Sequence, residues 1–428
     1  MTVFRLPLAT RGTLLTVLLL STVYAAAQTT PTLTTLYDFG GYSSGATAAE
    51  PASRLVIGSN GVLYGAAGGG GALGYGVVFS LTPPMTSGGP WTETALYSFG
   101  PPNNAEGESP TSLLAYHGVL YGTTSYGGLS GNGTVFSLTP PATVGGTWTE
   151  AVLHSFAGGS DGATPLGSLV VDKAGVLYGT TYLGGTGSCL GPGSGCGTVF
   201  SLTPPASTGG SWTEAVIHAF LPTNSDGSNP HGLVLGSGGV LYGTTIEGGT
   251  SYVGTVFSLK PPVRSGAAWT ETVLYNFTGG SDGEDPIGLA IGSGGVLYGT
   301  TGGGGTSGNG TVYSLTPPVS PGGHWTPATL YSFPGGSGGG NPAASLLVAK
   351  NGVLFGTTTG GSSGFGTVFA LKPPISPGGS WTEVVLHSFS GSDGASPAQR
   401  LIFGGGVFYG TTQDGGTAGF GTVFSLTP

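Results

Sequence analysis

The chain has 428 residues, of which 89 are Gly and 31 Pro, and only 6% are charged. Glycine costs roughly 1 kcal/mol at a helical position, and the Glu, Lys and Ala of exposed helices are scarce, which excludes a helical protein. With 38% hydrophobic and 10% aromatic residues and a mean hydropathy of +0.23, the chain has ample apolar surface to bury, which excludes disorder and leaves an all-β protein rich in turns.

Arg5 and Arg11 precede an apolar run from Thr13 to Tyr24 that ends in Ala25-Ala26-Ala27. This pattern predicts a secretory signal peptide over 1–27 and an exported single domain over 28–428. The run falls short of the roughly 20 residues that cross a bilayer, and no comparable stretch follows, so no membrane span is expected in the mature chain. The formal net charge of −9 becomes more negative once two basic residues leave with the leader. That balance argues against nucleic acid and against anionic membrane surfaces as partners.

From Leu36 onward the chain is a repeat. A Gly-Val-Leu-Tyr-Gly-Thr-Thr-like string places its aromatic at Tyr64, Tyr121, Tyr178, Tyr242, Tyr298, Phe355 and Tyr409, a spacing of about 57 residues. Each copy is followed by a Gly-Thr-Val-Phe-Ser-Leu-Thr-Pro-like string, with aromatics at Phe79, Phe136, Phe200, Phe257, Tyr313, Phe369 and Phe424. A Trp-Thr-Glu-x-x-Leu-Tyr-Ser-Phe-like string begins at Trp91, Trp148, Trp212, Trp269, Trp325 and Trp381, and a short apolar run centred on Leu55, Leu113, Leu169, Leu233, Leu289, Leu346 and Leu401 precedes each first string. Each unit thus offers four short strands, A (the leucine run), B, C and D in chain order, separated by Gly, Pro, Asn and Ser clusters. The A-to-B links carry Asn60-Gly61, Gly238-Gly239, Gly294-Gly295 and Asn351-Gly352, dipeptides suited to two-residue hairpins with positive φ.

Four-stranded antiparallel meanders repeated seven times predict a seven-bladed β-propeller. A seventh D-type string, Thr34-Thr35-Leu36-Tyr37-Asp38-Phe39, lies at the N-terminal end, and the last unit stops after strand C at Pro428. The N-terminal strand is therefore expected to complete the last blade and close the ring, leaving no open sheet edge and favouring a monomer. Cys189 and Cys196 close a short Gly/Pro stretch, which in an exported chain predicts a disulfide.

The strings at Leu177-Tyr178-Gly179-Thr180-Thr181 and Gly197-Thr198-Val199-Phe200-Ser201-Leu202-Thr203-Pro204 resemble the signature of the bacterial GloVer tandem-repeat proteins, and the resemblance covers all seven units. It implies an exported, often surface-associated bacterial protein with no established activity. Members often carry a C-terminal anchoring segment; this chain ends in a strand, so release into the medium or the periplasm is the expectation.

Function is sought on the face shared by the D-to-A and B-to-C links, because loops on a rigid scaffold carry most binding. The D-to-A links hold Ser-Asp-Gly turns at Asp161, Asp226, Asp282 and Asp393. These carboxylates suit turn capping, or as a set could accept hydroxyls or a cation, although calcium wants six to eight oxygens. His154, His218 and His387 take the strand-D place held elsewhere by Tyr and read as packing groups, whereas His231 lies just before strand A, the innermost strand of a propeller. Arg54 and Arg400 stand before the strand-A leucine in the first and last blades, which closure makes neighbours, and could clamp a carboxylate or sulfate or serve as solubilising charges.

Three Gly-x-Ser-x-Gly matches fall in equivalent turns with no helix to build a nucleophile elbow. The arginines are too few and Arg264 is on the opposite face for a sialidase, and a glycosidase would need two facing carboxylates, for which Glu50, Asp226, Glu284 and Asp285 are candidates. The expected function is an extracellular binding or scaffold module for a glycan or a protein, with no cofactor and no metal. The alternatives are a carbohydrate-active hydrolase or lyase at the channel mouth, or a purely structural surface component.

Overall fold

The computed structural model describes residues 30–428 apart from 42–46, 102–104, 190–193, 222–225 and the single loop positions 87, 144, 208, 265, 321 and 377. The signal-peptide reading over 1–27 lies outside the described residues. Pro31–Pro428 forms one compact unit of seven antiparallel sheets. No helix among the described residues is long and apolar enough to cross a membrane.

Each sheet follows the order A-B-C-D, and the seventh is built from both chain ends. Thr32–Asp38 pairs with Thr422–Thr427, which continues through Val407–Thr412 to Ile402–Gly404. Thr32 faces Thr427 and Asp38 faces Thr422. The ring is closed as its repeat pattern requires.

The recurring strings have packing reasons. The Gly of Leu-Tyr-Gly-Thr-Thr lies under the strand-C aromatic; a Cβ on Gly122 would stand 2.4 Å from the Phe136 ring and 2.5 Å from the Ser112 carbonyl oxygen. The Phe that ends each strand D packs edge-on against the strand-C aromatic of the next blade, as in Phe39 on Phe79 at 5.3 Å and Phe220 on Phe257 at 5.1 Å. Trp148, Trp212, Trp269, Trp325 and Trp381 of strand D each reach back to the strand-B Tyr of the preceding blade, as in Trp148 on Tyr64 and Trp269 on Tyr178. Such edge-to-face pairs add about 0.5–1.5 kcal/mol beyond burial and lock blade to blade.

The threonines of strings B and C meet in hydroxyl pairs at the end of the B-C hairpin, Thr124 with Thr134 and Thr245 with Thr255, both at 2.9 Å and fully buried. In the first blade Ala67 and Val77 replace both partners, so no buried hydroxyl is orphaned.

The residue before each strand-A proline, Glu50, Ser109, Thr164, Asn229, Asp285, Asn341 and Ser396, has positive φ. Its N–H crosses to a carbonyl of the preceding blade, as from Ser109 to Tyr75 and from Asn229 to Cys196. The left-handed kink turns the proline onto the neighbouring Gly, where a Cβ on Gly76 would stand 2.4 Å from Pro110 Cδ.

Two expectations are corrected locally. The A-to-B links at Asn60-Gly61, Gly238-Gly239, Gly294-Gly295 and Asn351-Gly352 are five-residue loops rather than two-residue hairpins, as between Ile57 and Leu63; the first three dipeptides have positive φ at both positions, whereas at Asn351-Gly352 only Gly352 does. Strand A is also not uniform, which shapes the site.

Candidate functional site: the central channel

Strand A of every blade lines a central cavity of about 360 Å³. The distance in sequence from the strand-A proline to its buried leucine takes two values. Pro110–Leu113, Pro230–Leu233 and Pro286–Leu289 are three apart, and there strand A runs unbroken over Gly107–Tyr116, Gly227–Leu235 and Glu284–Ile291. Pro51–Leu55, Pro165–Leu169, Pro342–Leu346 and Pro397–Leu401 are four apart, and the strand is split or shortened, as in Ala48–Pro51 and Val56–Ile57. Strand B cannot hold an extra residue in register, so the chain leaves the ladder there. The residues ahead of those leucines, Arg54, Ser168, Ser345 and Arg400, all line the cavity.

Arg54 and Arg400 therefore converge from the first and last blades, as their positions in the sequence suggest. Burial pulls the Arg54 guanidinium below its ordinary pKa. Arg400 is pulled down to about 10, by burial first and then by the charge of Arg54. Arg400 Nε is buried without a hydrogen-bond partner. Among the described residues the ion pairs are His154–Asp161, His218–Asp226 and His387–Asp393, so neither arginine has a carboxylate mate. A half-buried cation without a counter-charge is costly.

His231 lines the same cavity, within strand A rather than before it. Its Nδ1–H donates to the Ile287 carbonyl at 2.8 Å, leaving Nε2 as an acceptor, and burial pushes its pKa down. Gln399, Thr111, Ser168 and Ser345 supply neutral polar groups. These four were not singled out in the sequence; the Pro-to-Leu spacing is the signal that marks Ser168 and Ser345. None of Glu50, Asp226, Glu284 and Asp285 is among the lining residues.

The Ser-Asp-Gly carboxylates gather elsewhere, at the rim. Asp161 accepts from the Ala157 N–H and meets His154 Nε2 at 3.1 Å. Asp393 accepts from the Ser390 N–H and from His387, and Asp282 from the Thr278 N–H and the Tyr275 hydroxyl. Asp226 accepts from the Leu221 N–H. Each ties its turn to strand D, which is the capping role. The bonds to Thr278 and Tyr275 hold Asp282 below its ordinary pKa despite burial. Among the described residues one trio, His154, Asp161 and Glu214, brings possible metal-ligand atoms within 4.8 Å of one another.

Cys189 and Cys196 are joined in a disulfide, with Cα atoms 5.1 Å apart, on the B-to-C side of the third blade.

Residues 20–193 and 187–424 match the model of the Gloeobacter/Verrucomicrobia repeat, nearly the whole length of the chain. The chain belongs to this family. No curated protein matches this Gloeobacter/Verrucomicrobia repeat protein in sequence. Among solved structures it is similar to the extracellular domain of a protein described as a hybrid two component system from B. thetaiotaomicron, at 10% identity over 91% of this chain and 39% of that one, with a TM-score of 0.50. It is also similar to the phage phi92 endosialidase (12% identity, 93% and 68% covered, TM-score 0.47) and to a gluconolactonase from Xanthomonas campestris (16%, 77% and 86%, TM-score 0.41). At these identities the likeness is one of fold.

Proposed function

We propose that this Gloeobacter/Verrucomicrobia repeat protein is an exported, monomeric binding module that holds an acidic group, the carboxylate or sulfate of a glycan or of an extracellular protein, between Arg54 and Arg400 in the central channel. The observation that carries this reading is the pair of half-buried guanidiniums lining the cavity, neither with a carboxylate partner among the described residues. An anion there relieves the repulsion between two like charges and gains charge-assisted bidentate hydrogen bonds. His231 Nε2 and Gln399 would read neighbouring hydroxyls. The disulfide fits an oxidising compartment outside the cytoplasm.

The test is binding of residues 28–428 to an array of neutral and acidic glycans. Acidic ligands should bind, and Arg54→Ala with Arg400→Ala should weaken them by at least about tenfold, since hydrogen bonds to charged groups contribute roughly 1.5–3 kcal/mol each. Binding unchanged by the double substitution, or no binding anywhere on the array, would overturn the reading.

A further inference from the structure

Strand order puts the seven A-to-B links and the six C-to-D links on one face of the disc and the B-to-C and D-to-A links on the other. The first face carries Lys173, Lys260, Arg264, Lys350 and Lys372, all exposed, while the other described cations are Arg54 and Arg400 in the channel. Its links hold a single carboxylate, Asp172, which accepts from the Ala174 and Val176 N–H groups and the Tyr178 hydroxyl. The opposite face holds Asp161, Asp226, Glu247, Asp282, Asp393 and Asp414. The acidic net charge thus conceals a polarised disc.

The same basic face projects apolar tips. Each C-to-D link begins with Pro-Pro and then presents one side chain outward: Met85, Val263, Val319 and Ile375 are 105%, 97%, 104% and 107% exposed, with Ala142 and Ala206 at the equivalent places. In these turns the carbonyl of the residue after the tip accepts a bond, from the Gly89 N–H to Thr86, from Gly146 to Thr143, and from Gly323 to Ser320. Equivalent positions in a closed ring lie at one height. The tips stand on separate links around the ring, where a flat partner meets them together.

We infer that this face docks on an anionic lipid bilayer surface, with Met85, Val263, Val319 and Ile375 entering the headgroup region and the surrounding lysines and Arg264 meeting lipid phosphates. Repulsion from the acidic face does not prevent it. A six-residue strand C such as Thr255–Lys260 spans about 20 Å, more than two Debye lengths of about 8 Å at physiological salt. Strand D does carry Glu93, Glu150, Glu214, Glu271 and Glu383, but these are partly buried at blade interfaces rather than on the links. Each cation at such a surface strengthens binding about fivefold, and rigid Pro-Pro tips lose little freedom on insertion.

The experiment is co-sedimentation of residues 28–428, which include every strand of the ring, with vesicles of phosphatidylcholine alone and of equal phosphatidylcholine and phosphatidylglycerol. The mixed vesicles should be bound at least tenfold more tightly, and the preference should shrink as salt rises from 50 to 300 mM. Met85→Ser, Val263→Ser, Val319→Ser and Ile375→Ser together, and separately Lys260→Gln, Arg264→Gln and Lys372→Gln together, should each weaken binding at least tenfold. Leu73→Ser with Leu129→Ser, on the opposite face, should leave it unchanged, and unaltered circular dichroism and melting would show that all variants fold. No sedimentation with either vesicle, equal binding to both, or equal loss from the opposite-face variant would overturn the inference, whatever the glycan array gives.

Discussion

The Tyr37 hydroxyl donates to Glu93 Oε2 at 2.8 Å, and Glu93 Oε1 accepts the Ala48 N–H at 2.8 Å. Tyr37 belongs to the blade built from both chain ends and Glu93 to the first blade, so this pair of bonds fastens the ring beside its closing strand. Burial raises the pKa of Glu93 while the two donors work against that rise.

Removing the Tyr37 hydroxyl should be felt globally. Tyr37→Phe leaves Glu93 Oε2 short of a donor at a partly buried site, and a lost bond to a charged group costs roughly 1.5–3 kcal/mol. Urea unfolding should give a lower midpoint with an unchanged slope, and a slope change instead would mean that the ring no longer unfolds as one unit.

Stability should rise as the solution is acidified from pH 8 to pH 5. The Tyr331 hydroxyl makes the equivalent bond to Glu383 Oε2 at 3.4 Å, but in three other blades the Glu93 arrangement is broken: His154 turns to Asp161, and Glu150, Glu214 and Glu271 each keep an Oε1 with no donor. Burial first, and then Glu106, Asp161 and Asp226 respectively, push these three carboxyls up to about 7. A group with a raised folded pKa is protonated in the native state while already ionised in the unfolded chain. Its stabilisation is therefore fully present below about 4.5 and lost as pH rises through about 7. His231, whose folded pKa is lowered, acts in the opposite sense below 6.5, one group against three. Melting temperatures from pH 5 to 8 should fall for the parent and flatten in Glu150→Gln, Glu214→Gln, Glu271→Gln.

Two glycines separate crowding from backbone freedom. Gly122→Ala drives a Cβ into the Phe136 ring and the Ser112 backbone and should cost about 1–3 kcal/mol by overpacking. Gly68→Ala meets nothing nearer than Ala52 Cβ at 3.9 Å and should stay within about 0.5 kcal/mol. Equal effects in denaturant titration would refute the packing account of the repeat glycine.

Deleting residues 28–39 should make the protein associate. Without Thr32–Asp38, the Thr422–Thr427 strand becomes an open edge, and Phe79 loses the ring of Phe39. Light scattering should show oligomers or aggregate, and a deleted protein that remains monomeric would show that closure is not what keeps edges covered.

The seven-fold repeat, the strand count and the closure were legible in the sequence because each rests on local rules: alternating apolar residues, Gly and Asn at turns, and a spare strand D at one end to match a missing one at the other. The cysteine pair was legible because the two thiols stand only seven residues apart in a Gly/Pro-rich stretch. The placing of Arg54 and Arg400 followed from counting blades. Whether they meet a counter-charge did not, since that depends on every residue lining the channel.

Contacts about 56 residues apart, such as Tyr37 with Glu93, exist only once blades are stacked, and the string Trp-Thr-Glu names no partner for its glutamate. The residue ahead of the strand-A leucine points inward because the ladder cannot absorb it, and the cations share a face because strands alternate in direction around a ring. The sequence by itself determined which segments form strands and how many blades they make, since both follow from near-neighbour chemistry. The tertiary structure decided which carboxyls lack donors, which charges face the channel and which side chains stand out from a common plane, because those are properties of distances between blades.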